Sequence, residues 1–196
     1  MNEIVKAPTH RRWSLAELDR LSALGFFGEH EHIELVGWEL ITMAPKGIRH
    51  ERIRSVVASW LARRLPQGVE LYQELGWRPG NGHYLEPDIV LAGCERLPPD
   101  IPPASIRLII EIAKSSLAYD QGLKADTYAS LGVADYWVVN AVTLETRVHR
   151  QPIAGGYASI RDAASTEQLT PLFVRELCLR LADIDFGTVA VADDDP

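Results

Sequence analysis

The period of the hydrophobic pattern changes several times along the chain, and each change marks an element. Ser14 followed by Glu17 is a capping box that opens an amphipathic helix, SLAELDRLSAL, which Gly25 ends. IELVGWELITM reads as two short strands around Gly37–Trp38, a hairpin. From Arg49 to Leu65 the residues Ile53, Val56, Val57, Trp60, Leu61 and Leu65 fall at helical spacing, and Pro66 stops the run. VELYQELGWRP and HYLEPDIVLAG are strand-like, with Gly80–Asn81–Gly82 as the turn between them. The prolines of LPPDIPPAS suit neither a helix nor a central strand, so this stretch reads as a surface connection. A strand over Ile106–Ile112, a helix over about Gln121–Leu131 and a strand ADYWVVN come next. ETRVHR and GYASIRD then form a meander, and the end is weakly patterned.

No repeat, low-complexity linker or break in composition divides these elements. They predict one α+β domain over residues 1–190, a mixed central sheet flanked by helices, with an N-terminal helix and hairpin. Residues 191–196 form an acidic tail in which Asp193–Asp194–Asp195 is solvated. A chain of 196 residues that is 46% hydrophobic can bury a substantial core as a single domain. MNEIVKAPTHRR lacks the apolar centre of a signal peptide, and no run approaches about 18 apolar residues, so a soluble cytoplasmic protein without a membrane partner is expected. Cys94 and Cys178 lie far apart with no ligand-spaced partner, which reads as reduced thiols at packing positions.

Charge narrows the chemistry only slightly. A formal net charge of −7 is a handicap for a protein that must approach phosphates. Against it, Arg49, Arg52, Arg54, Arg63 and Arg64 crowd one segment, as a solvated helix face or as a phosphate-binding ridge.

The chemistry-bearing positions are acids inside apolar strands. In RLIIEIA, alternation puts Glu111 on one face with Ile109 and Ala113, and Leu108, Ile110 and Ile112 on the other. EPDIVLA has the same design: Asp88 opens an apolar strand directly after Pro87, which has no backbone donor to satisfy. If the two strands pair, the acids converge. Two carboxylates a few ångströms apart in a dry site repel, and a hard divalent cation such as Mg²⁺ removes the conflict. The bland alternative is that each acid caps a strand end or pairs with an arginine. Lys114 would point to the opposite face from Glu111. Lys124 belongs to the next helix, whose N-cap is Ser116 or Asp120, and one turn separates it from Tyr128. Its simplest alternative role is an ion pair with Asp120, four residues earlier.

Pro87–Asp88, Glu111 at the end of an apolar strand, and SSLAYDQGLKADTYASLGVADYWVVN together resemble the Uma-type restriction endonuclease family, bacterial members of the PD-(D/E)XK nuclease superfamily. The likeness runs through nearly the whole chain, from SLAELDRLSALGFF and IELVGWELITMAP, with His50 soon after, to the K…Y…G-V…YW segment, which is the most specific part. It implies a restriction-endonuclease-like fold and a metal-dependent endonuclease that hydrolyses phosphodiesters, with DNA as the expected substrate. In such proteins the usual E-x-K lysine is displaced into the next helix, matching Ala113 at the expected place and Lys124 beyond it. The resemblance implies that Asp88 and Glu111 hold Mg²⁺ (or Mn²⁺) with the Ile112 carbonyl. Lys124 would position the attacking water or stabilise charge on the phosphate. Glu34 and His50 look like additional site positions, Asp120 and Tyr128 like supporting ones, and members look like homodimers. Three positions depart from the family pattern. Lys114 follows the E-strand, Gly37–Trp38 stands for Asp–Gly, and Asn140 ends the YWVV strand where Asp is frequent.

Other features point away from rival chemistries. His30 and His32 in GEHEHIE lack the H-E-x-x-H spacing and read as exposed loop. Tyr136–Trp137 reads as core packing, and neither a nucleophile elbow nor a phosphate loop is present. An alternative function is a catalytically idle nuclease-fold protein that acts as a binding or regulatory partner.

Overall fold

The computed structural model describes residues 10–28, 31–80, 82–93 and 98–187. His30, Asn81, Cys94 and the acidic tail lie outside them. Among the described residues ten strands form two sheets. The larger has the order β10-β9-β8-β7-β6-β3, built from β3 (Val69–Gln73), β6 (Ile89–Gly93), β7 (Ile106–Ala113), β8 (Asp135–Asn140), β9 (Thr146–Ile153) and β10 (Gly156–Ala163). All its pairs are antiparallel except β7–β8. A parallel pair needs a crossover, and α3 (Leu117–Gln121) with α4 (Leu123–Ser130) supplies it. The smaller sheet, β2-β1-β5-β4, contains β1 (His32–Val36), β2 (Glu39–Met43), β4 (Trp77–Gly80) and β5 (His83–Leu85). The other α-helices among the described residues are α1 (Leu15–Ala23) and α2 (Ile48–Ala62).

The two faces of the large sheet carry different cores. Leu108, Ile110 and Ile112 of β7, with Ile89 and Leu91 of β6, pack against Ile53, Val57 and Leu61 of α2. The weakly patterned end covers the same face with Leu169, Val174, Leu177, Leu179 and Leu181. On the opposite face Ile109, Ala113, Val90 and Ala92 meet Ala125, Tyr128 and Ala129 of α4, and Trp77 and Leu85 of the small sheet. β6 is buried throughout and β7 nearly so, which explains their continuous apolar runs, since strands covered on both faces need no polar alternation. Each fully buried aliphatic side chain here stabilises the fold by roughly 1.5–3 kcal/mol.

The capping box at Ser14 and Glu17 is present, and Gly37 and Trp38 form the two-residue hairpin turn between Val36 and Glu39. Both turn residues have positive φ, 56° and 75°, as a type I′ turn requires. The turn is unusual in using Trp38, whose ring lies over Gly82, where a Cβ would come within 2.4 Å of it.

Several expectations need correction. Each of the two long strand-like stretches is divided between the sheets. VELYQELGWRP leaves the large sheet at Gln73, turns at Glu74 with φ 49°, and enters the small one at Trp77. HYLEPDIVLAG crosses back through Glu86–Pro87–Asp88. The helix expected over 121–131 begins earlier and is broken at Gly122 into α3 and α4. The proline loop is not wholly superficial: Ile101 is buried and its carbonyl accepts from Trp77 Nε1 at 2.7 Å. Cys178 is exposed because it alternates with the buried Leu177 and Leu179. Tyr136 and Trp137 are buried on opposite faces of the sheet.

Candidate active site

Asp88 and Glu111 face one another because the strand register puts them there. β6 and β7 pair with Ile89 opposite Ile110, so the next step brings Asp88 opposite Glu111, both in phase with the α4 face. Each acid also braces the other strand. The Asp88 amide donates to Glu111 Oε2 at 3.2 Å, and the Ile112 amide donates to Asp88 Oδ2 at 2.8 Å. Asp88 comes just where the chain passes from the small sheet into the large one, and that junction keeps a cavity of about 530 Å³ open beside it.

Lys124 reaches this pair from α4. Its Nζ lies 2.9 Å from Glu111 Oε1 and 3.0 Å from Glu34 Oε1, so its ion-pair partners are those two acids, in place of the Asp120 pair considered from sequence. Tyr128, one turn on, donates to the same Glu111 oxygen at 2.9 Å. Glu34 arrives from β1 and also accepts from the Glu86 amide at 2.8 Å and the Tyr119 hydroxyl at 3.1 Å. His50, in the first turn of α2, sets Nε2 2.9 Å from Asp88 Oδ2 and Nδ1 3.2 Å from Glu51 Oε1. Asp120 accepts from the Ser116 hydroxyl at 2.6 Å and borders the cavity. Ionisable groups are seldom this deep unless paired: Glu34, Asp88, Glu111, Asp120 and Lys124 are each at most 3% exposed.

The electrostatics follow from crowding four acids into one dry place. Burial favours a neutral Asp88, but His50, Lys46 and the Ile112 amide outweigh it and hold the carboxyl well below its usual range. Glu111 goes the other way: burial, aided by Asp88, Asp120 and Glu34 and only partly offset by Lys124, pushes it well up. Burial also raises Asp120 to about 6, with Lys124 and the Ser116 bond opposing and Asp88 and Glu34 assisting. Burial alone would discharge Lys124, yet Glu111, Glu34, Asp120 and Asp88 drive its pKa well above the ordinary lysine value. Lys124 is therefore a permanent cation, unsuited to accept a proton. The site as a whole is short of positive charge.

Two further groups were not legible beforehand. Lys46, between β2 and α2, places Nζ 2.9 Å from Asp88 Oδ1 and 3.0 Å from Glu74 Oε1. Tyr119, whose hydroxyl donates to Glu34 Oε2, is marked by nothing in the sequence pattern. The only signal for Lys46 is its place directly after Met43–Pro45, four residues before His50, which sequence alone does not connect to Asp88. Lys114 is exposed at the cavity rim, and so is His32, which opens β1 and contacts Glu86 Oε2 at 3.4 Å instead of lying in a loop.

The arginine-rich helix is largely spoken for. Arg49 donates to the Ala141 and Val142 carbonyls, Arg52 to the Phe186 carbonyl, Arg54 pairs with Glu51 and Glu74, and Arg64 stacks on Trp60. Among the described residues no helix is long and apolar enough to cross a membrane.

Among the described residues no three His, Cys, Asp or Glu side chains already converge as a shell for a cation. What the site offers is a pair of opposed carboxylates, oxygen donors of the kind that Mg²⁺ or Mn²⁺ takes, in a cavity whose acids outnumber its lysines. That donor set fits a hard divalent ion.

Comparison with known proteins places this architecture. The fold is similar to a crystal structure described as "a putative nuclease belonging to DUF820" from Anabaena variabilis, with a TM-score of 0.63 and 19% identity, over 83% of this chain and 95% of that one. No curated protein sequence matches the chain. The family profile described as "Uma2: Putative restriction endonuclease" matches residues 15–182. With most of its length matched, the chain belongs to the Uma2 restriction endonuclease family.

Proposed function

We propose that the protein is a divalent-metal-dependent endonuclease that hydrolyses phosphodiester bonds, with DNA as its substrate. The observation that carries the reading is the opposition of Asp88 and Glu111 across β6–β7, with Lys124 bound to Glu111. Family membership supports the reaction class.

Asp88 and Glu111, with the Ile112 carbonyl, would hold Mg²⁺ or Mn²⁺. Such an ion supplies Lewis-acid polarisation of the phosphate and lowers the pKa of water at the site. The chain's own residues do the rest. His50 and the Ile112 amide fix Asp88 through Oδ2, while Tyr128 and Lys124 fix Glu111 through Oε1, so both carboxylates are oriented before anything binds. Lys124, kept protonated by its acidic neighbours, stabilises negative charge gathering on the phosphate oxygens. Glu34 shares that ammonium with Glu111, and the Tyr119 hydroxyl holds Glu34 in place. A homodimer with a two-fold pair of sites would suit the cutting of both strands.

The test is cleavage of duplex DNA, single-stranded DNA and RNA by purified protein with Mg²⁺ or Mn²⁺. Nicking of DNA is expected, and Asp88→Ala, Glu111→Ala and Lys124→Ala should each abolish it. A triple variant that cuts like the parent would overturn the assignment.

A further inference from the structure

The two lysines at the site are held in different ways. Lys124 is 3% exposed and enclosed between Glu34 and Glu111. Lys46 has 22% of its side chain exposed, at the cavity edge, and bridges Asp88 Oδ1 to Glu74 Oε1, an acid whose own side chain is 41% exposed. The Asp88 oxygens are divided accordingly. Oδ2 accepts from His50 and from the Ile112 amide, both fixed by α2 and β7, whereas Oδ1 carries the flexible lysine. A lysine ammonium is a compact charge on a rotatable four-carbon stem, so it can leave a carboxylate without moving the backbone. Glu74, 3.0 Å away, gives it a second seat.

We infer that Lys46 is a tethered counter-cation that occupies Asp88 in the metal-free protein and swings onto Glu74 when a divalent ion takes its place. The inference rests on the reading of Asp88 as a metal ligand. It accounts for two facts together: a buried carboxylate opposite a second one carries a lysine ammonium on the oxygen that His50 and the Ile112 amide leave free, and no ready-made cation shell is present among the described residues. A buried acid left without partners would neutralise or destabilise the fold, and Lys46 adds a counter-charge to the His50 and Ile112 hydrogen bonds until the ion arrives. Divalent affinity is thereby lowered, because binding must first break the Lys46–Asp88 pair.

Mn²⁺ titration, followed by loss of the free-ion paramagnetic resonance signal at fixed pH and ionic strength, separates the possibilities. Lys46→Met and Lys46→Gln should bind Mn²⁺ about tenfold tighter than the parent, about 1.4 kcal/mol. Asp88→Asn should lose binding. If both Lys46 variants bind no tighter than the parent while Asp88→Asn abolishes binding, the counter-cation role is wrong and the metal reading stands. If Asp88→Asn binds like the parent, or no protein binds, both readings fall. A second measurement needs no variant: amine-directed acylation of Lys46 in the unmodified chain, read by mass spectrometry, should rise several-fold when Mn²⁺ is added. Unchanged labelling would overturn the displacement.

Discussion

At the scale of single residues, the acids that matter announce themselves by interrupting apolar strands at the right phase. Asp88 and Glu111 share a face with Val90, Ala92, Ile109 and Ala113, and burying a charge there has a cost that only a partner can offset. Asp120 permits a clean test of this electrostatic account. Its pKa rises from 3.8 to about 6 on folding, so the folded protein binds a proton more readily than the unfolded one. For a raised carboxylate, stability is greatest at low pH and falls as pH climbs through the interval from about 4 to 6. Asp120→Asn removes the titration while keeping a neutral side chain. Urea unfolding of the metal-free protein should show parent and variant alike near pH 4, and the variant more stable by roughly 1–3 kcal/mol above pH 7. Equal stability at both pH values would mean that Asp120 is not held in a charge-poor site. Lys46 marks the limit of legibility at this scale. One lysine between Pro45 and Gly47 has no period to read, and its partner Asp88 lies 42 residues away. Only closure of the two sheets brings them together.

At the scale of elements, existence was readable and boundaries less so. The hairpin at Gly37–Trp38, the helix after Arg49 and the strand at Ile106 follow from period and turn chemistry. The division of two strand-like stretches between two sheets does not, because Glu74 gives no sequence sign of its positive φ, and Pro87 fits either a strand start or a crossing. The break at Gly122 is equally hidden, since the apolar pattern runs through it. Yet that break aims Lys124 and Tyr128 at Glu111. A Cβ at Gly122 would lie 2.9 Å from the Ala118 carbonyl oxygen, a backbone atom that cannot yield without moving α3. Gly122→Ala should therefore cost about 1–3 kcal/mol by chemical denaturation, as overpacking does elsewhere. It should also weaken Mn²⁺ binding, although it alters no acid. Parent-like stability and binding would show that the helix break does not position the site.

At the scale of the whole molecule, the site exists because the chain passes from one sheet to the other beside it. β5 hands over to β6 through Asp88, β3 to β4 through Glu74, and the β7–β8 crossover lays Lys124 across the opening. Neither sheet alone assembles the acids: Glu34 comes from the small one, Glu111 from the large one, and Lys124 joins them. The same architecture recurs in the Anabaena variabilis structure at 19% identity, so the topology withstands extensive change in sequence. The claim on which the functional account depends is that Asp88 and Glu111 share one divalent ion. A crystal soaked in Mn²⁺ and measured at an anomalous wavelength tests it directly. The account predicts a single peak within about 2.5 Å of a carboxylate oxygen from each acid, with Lys46 turned away toward Glu74. A map with no peak there, and Lys46 still seated on Asp88 at saturating Mn²⁺, would contradict it.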